Sequence, residues 1–247
     1  MNDDQGLQTP TRGAYMARTP WGPVGGLIAG ITVTLVAFAT IIGAVNTVGL
    51  LTGDPTRIPN WVPMALLQTV MALGAIWIAG WFGGVRGRVL ALSAPRPGVA
   101  AFLPLLAVFL AFVIPYTAAV YWFRPDVLFA DNKAFAAMMD APQWPIYAVI
   151  IAIGAPVSEE LLVRGFMLPA LSKSRLGFAG AALVTTIFWM ALHYTYSIFG
   201  LIEIFVIGLI LSWALWRTGS LWAPMALHAI NNGALVIAMK FHLLPWT

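Results

Sequence analysis

The stretch Val24–Leu51 reads VGGLIAGITVTLVAFATIIGAVNTVGLL and contains no ionisable side chain. A helix needs roughly 20 apolar residues to cross a bilayer, and this run exceeds that. Working outward, comparable runs recur at Trp61–Gly84, Val99–Trp122, Pro145–Leu171, Phe178–Tyr194, Phe199–Trp216 and Leu221–Phe241. They are too long and too continuously apolar for barrel strands, which are alternating segments of about 10 residues. The expectation is an all-α polytopic transmembrane helical bundle of about seven to eight helices. The eighth would be a short interfacial helix over Asn132–Ala141, where Phe135, Met138 and Met139 alternate with Lys133 and Asp140; an ordinary loop is the other reading of that segment.

Composition agrees. Of 247 residues, 60% are hydrophobic and 9% charged, against about 25% charged in soluble domains. Most of the surface therefore faces something other than water. Cysteine is absent, which removes disulfides, thiolate metal sites and cysteine nucleophiles. The net charge of +4 comes from bases scattered over loops, so nucleic acid is not an expected partner; membrane lipid is. The organisation expected is a disordered polar N-terminus over 1–20, motif-free transmembrane helices over 21–144, and a motif-bearing helical region over 145–243.

The first apolar run has a basic flank, Arg12 and Arg18, and a small-x-small triplet at Ala37-Phe38-Ala39. It continues well past that triplet, longer than the apolar region of a signal peptide, so an uncleaved anchor is expected. Loop charges set the orientation. With the N-terminus in the cytoplasm, that side holds eight Lys and Arg residues, including Arg12 and Arg96, and the other side holds four.

Ionisable groups inside a membrane cost about 2.5–3.5 kcal/mol each at a helix centre and therefore point to function. They gather in the C-terminal half. Glu160 and Arg164 are four apart and share a helix face, whereas Glu159 lies about 100° round the helix. One carboxylate is thus tied to an arginine and the other is left as a candidate base. His193 closes the run Trp189-Met-Ala-Leu-His193, and His228 precedes Asn231 and Asn232, the latter on its own helix face. Each has a blander reading: an ion pair as interhelical glue, a packed histidine, an asparagine bonding between helices. Three segments carrying such clusters favour a site. Glu203 is an additional carboxylate near a helix end, expected to reach the interface. With segment five starting at Phe178, His193 is expected nearer the outer side than Glu159 and His228.

These residues resemble the motifs of the CPBP family, the CAAX prenyl endopeptidases and bacteriocin-processing proteins also called the ABI family. The resemblance rests on Glu159-Glu160-x-x-x-Arg164, Trp189-x-x-x-His193 and His228-x-x-x-Asn232, and covers about Pro145–Met239. Trp189 stands where the family usually has Phe. The resemblance implies an intramembrane endopeptidase acting on membrane-associated protein or peptide substrates, in a bacterial inner membrane. Glu159 and His193 would activate water, His228 and Asn232 would stabilise the oxyanion, and Glu160, Arg164 and Trp189 would support them. It also admits a zinc mechanism with Glu159, His193 and His228 as ligands and water in the open position. No cofactor is favoured, and neither HExxH nor a GxSxG-type serine site is present. The alternative functions are a non-catalytic membrane scaffold or immunity-type protein, and an ion or proton carrier.

Overall fold

The computed structural model describes residues 15, 17–81, 85–95 and 98–243. Most of the polar N-terminal stretch, Arg12 included, lies outside the described residues, as does Arg96.

Nine helices are present among the described residues. They are α1 (Pro23–Thr52), α2 (Trp61–Trp81), the single turn α3 (Arg86–Val89), α4 (Phe102–Phe123), α5 (Pro125–Asp140), α6 (Trp144–Leu171), α7 (Gly177–Ala191), α8 (Ile198–Thr218) and α9 (Trp222–Lys240). There is no strand among them. Each of the seven apolar runs became a helix. The segment over 132–141 is also helical and starts earlier, at Pro125. Proline suits a first helical position because its missing N–H would have no partner there, and Asp126 complements the helix dipole in the same turn.

Five helices, α1, α2, α4, α6 and α8, are long and apolar enough to cross a membrane. Seven crossings were expected from apolar runs alone. With 15 residues, α7 extends only about 22 Å at 1.5 Å per residue, short of a hydrocarbon layer of about 30 Å. The remaining one, α9, carries His228, Asn231 and Asn232 within its length.

Helix α6 is the axis of the bundle. Half of its apolar window is buried, against 11% for α4. Its C-terminal part packs with α1 and α2 around Leu162, Phe166 and Met167. Val163 joins α4, α8 and α9 through Phe109, Leu211 and Leu227. Its N-terminal part meets α5 and α9 through Tyr147, Met139 and Val236. Outward positions such as Leu50, Trp81, Leu103 and Trp122 are more than two-thirds exposed, as a lipid-facing surface requires.

The chain before α1 is tied down where it is described. Tyr15 N–H donates to the Trp216 carbonyl at 3.0 Å, Trp21 stacks on Phe166, and the Lys173 ammonium donates to the carbonyls of Thr19 and Trp21.

Candidate active site

A cavity of about 670 Å³ opens between α2, α4, α5, α6, α8 and α9, and Glu159, Trp189, His193, His228 and Asn232 all line it. The separation in depth expected for His193 does not arise. Because α7 stops at Ala191, His193 sits in the turn that follows, and this short helix leaves it at the level of the cavity.

The two adjacent glutamates part ways as their angular offset requires. Glu160 is fully buried. Its Oε1 accepts from Arg164 Nη1 at 3.0 Å and is 3.1 Å from His228 Nδ1. Arg164, also fully buried, donates through Nη2 to the Gly208 carbonyl at 3.1 Å and stacks its guanidinium 4.5 Å from the Trp189 ring centroid. A planar, forked cation is what such combined stacking and bonding needs, and lysine could not supply it. Any Cβ at Gly208 would press on Arg164 Nη2 and Thr186, so glycine lets α8 approach this close. The anchor therefore joins α6, α7, α8 and α9 at one point.

The sequence reading kept the Glu160–Arg164 anchor apart from a catalytic set containing His228. The geometry joins them, since His228 meets the anchor through Nδ1 and also lines the cavity. A helix face records spacing within one helix and says nothing of which carboxylate a histidine on another helix will meet.

Glu159 is partly exposed to the cavity, and its Oε2 accepts from the Trp189 indole N–H at 2.5 Å. Trp189 does more than the packing expected of an aromatic at that position. It also places its ring edge-on to His193, with centroids 5.2 Å apart, and to His228, at 5.4 Å. Phenylalanine has no N–H for Glu159, so the departure from the usual Phe carries a hydrogen bond.

His193 Nδ1 lies 2.9 Å from the Trp189 carbonyl. A carbonyl only accepts, so Nδ1 carries the proton in that bond. The neutral ring then holds its lone pair on Nε2, the form a general base requires. Asn232 donates through Nδ2 to the Ile151 carbonyl at 3.0 Å; its amide has a second N–H.

Sequence reading missed several cavity residues. Gln68 lines the cavity from α2 and Asp131 from α5, where its carboxylate accepts from both the backbone N–H and the hydroxyl of Ser197. Glu203, expected at the interface, turns inward, lines the cavity and accepts from the Thr117 hydroxyl at 3.1 Å. The available signal was a polar side chain isolated in an apolar helix, as Gln68 is in α2.

The zinc alternative requires three donors converging on one point. Among the described residues no three His, Asp or Glu side chains are grouped that way. His228 Nδ1 faces Glu160 and Glu159 Oε2 holds the Trp189 indole. This donor set does not fit a tetrahedral ion as arranged.

Residues 141–234 match the family model described as type II CAAX prenyl endopeptidase Rce1-like. A protein of Escherichia coli described as an uncharacterized 24.3 kDa protein is 36% identical over 104 residues, covering 41% of this chain and 44% of that protein. The chain thus spans under half the length of the curated relative it matches. No solved structure matches it. The three motifs fall inside the matched segment, on α6, on α7 with the turn that follows it, and on α9, and the similarity of this integral membrane protein to the Rce1-like type II CAAX prenyl endopeptidases lies in residues 141–234.

Proposed function

We propose that the chain is an intramembrane endopeptidase of glutamic type that cleaves membrane-associated protein or peptide substrates. The observation that carries this reading is Glu159. It is an ionisable group in a membrane-embedded cavity, left outside the neighbouring ion pair and sharing that cavity with a histidine whose Nε2 is the acceptor. A scaffold needs the Glu160–Arg164 anchor and gains nothing from Glu159 open to a cavity, because an intramembrane carboxylate is costly.

Glu159 and His193 orient a water molecule, and one of them takes its proton as the oxygen attacks the scissile carbonyl carbon. The carbonyl π electrons move onto oxygen. His228 receives that oxyanion through Nε2–H, a role that requires the doubly protonated ring because Nδ1 directs its own proton at the Glu160 carboxylate, and Asn232 through its second amide hydrogen. Collapse of the intermediate breaks the C–N bond, and the proton taken from water passes to the leaving amine. Glu160 and Arg164 orient His228 and Trp189. The loop charges and the bacterial relative support an inner-membrane protein with its N-terminus in the cytoplasm.

The test is cleavage of an internally quenched peptide in liposomes by purified protein, with farnesylated and unprenylated versions compared. Glu159→Gln and His193→Ala are expected to abolish turnover. Wild-type turnover in both would sink the assignment. Activity is expected to survive a chelator, and loss restored by added zinc would replace this mechanism with a metal-dependent one.

A further inference from the structure

Pro156 has no backbone N–H to give the Ala152 carbonyl four residues back. Around it, α6 leaves the α register. Ile150–Gly154 forms a π-helical turn in which Ala155 N–H reaches five residues back to the Ile150 carbonyl. Two side-chain amides from other helices grip this turn. Gln68 Nε2 of α2 donates to the Ile150 carbonyl at 3.0 Å, and Asn232 Nδ2 of α9 donates to the Ile151 carbonyl at 3.0 Å. Gly154 completes the grip, since a Cβ there would collide with Gln68 Oε1.

Converting a π-turn to an α-turn re-phases the helix by one residue, about 100° of rotation and 1.5 Å of rise. On one side of the turn, Trp144–Val149 is held by Tyr147 against α5 and α9. On the other side stands Glu159, whose alignment with the Trp189 indole cannot survive such a rotation. Apart from Thr69 and the indole N–H groups of three tryptophans, Gln68 is the only polar side chain in Trp61–Trp81. A primary amide is costly in so apolar a helix unless it is bonded.

We infer that Gln68 is a positioning residue for Glu159, acting through the π-turn Ile150–Gly154 that it clamps. Gln68 lies outside the matched segment 141–234, so the N-terminal helices complete the site rather than merely enclose it. The inference rests on the peptidase reading above.

The experiment measures kcat and KM for the quenched peptide in liposomes with full-length Gln68→Leu and Gly154→Ala, alongside thermal unfolding and Glu159→Gln. Both test variants are expected to lose roughly 10- to 100-fold in kcat, the scale of about a 1 Å misplacement, with KM within about twofold and an unchanged unfolding midpoint. Wild-type kcat in Gln68→Leu overturns the inference, as does a raised KM at constant kcat, which would make Gln68 a substrate contact. If Gln68→Leu unfolds, Gly154→Ala decides: it removes no polar group and raises helix propensity, and its wild-type kcat overturns the inference. Full turnover in Glu159→Gln removes the peptidase reading itself and the inference with it. A dead Glu159→Gln beside a fully active Gln68→Leu removes the inference alone.

Discussion

Helices α4 and α6 are both apolar enough to cross a membrane, yet 11% of one window and 50% of the other is buried. Leu103 on α4 is 68% exposed, while Glu160 and Arg164 on α6 are fully enclosed. The difference shows where a membrane protein can hold charge. Carboxylate and guanidinium persist only where other helices replace lipid on every side and supply partners. A helix at the periphery has no such shelter and stays apolar.

Substitutions at the two places should therefore differ sharply, and the largest effect belongs to Glu159. Glu159→Gln keeps size and hydrogen bonding to Trp189 while removing the base, so turnover should fall about 10²- to 10⁴-fold with the fold intact by thermal unfolding. Arg164→Ala leaves Glu160 buried without its arginine and with only His228 beside it, a loss of about 3–5 kcal/mol, visible as a large drop in the unfolding midpoint or in the yield of folded protein. Asn232→Ala should lower kcat by roughly 10²- to 10³-fold if its amide serves the oxyanion; retention of wild-type kcat would remove both that role and its part in clamping the π-turn. Trp189→Phe keeps an aromatic ring for Arg164 and removes one N–H from Glu159. That single bond is worth about 1.5–3 kcal/mol when the acceptor is charged, and kcat should drop by at most about 10- to 10²-fold. Leu103→Ala on α4 should change turnover and unfolding by no more than about 0.5 kcal/mol. A severe effect there would mean that α4 carries more than its burial indicates.

The fold was legible because its signal is local. A run such as Val24–Leu51 leaves its backbone no partner in lipid except itself, so the helix follows from composition and length. All seven apolar runs are helices for that reason. Five of them are long and apolar enough to cross a membrane; α7 is shorter because a turn follows Ala191, and α9 carries His228, Asn231 and Asn232.

The site was legible where one helix sufficed. Spacing alone separated Glu159 from Glu160 and paired Glu160 with Arg164, because the 3.6-residue period fixes those angles. The Rce1-like motifs then linked three helices. Their geometry was not in the spacing: His228 reaching Glu160, Trp189 donating to Glu159, and Glu203 turning inward are contacts between helices, set by how those helices pack.

The sequence by itself determined that this chain lies in a membrane as helices, and which side chains are too polar to face lipid. Only the tertiary structure decided what those side chains meet. Hydrophobic burial and backbone hydrogen bonding act along a segment and leave a periodic trace in it, whereas the partner of a buried polar group is chosen by elements far apart in the chain. The π-turn at Ile150–Gly154 lies on that boundary. Pro156 announces the break in sequence, and Gln68 and Asn232, arriving from two other helices, determine the form it takes.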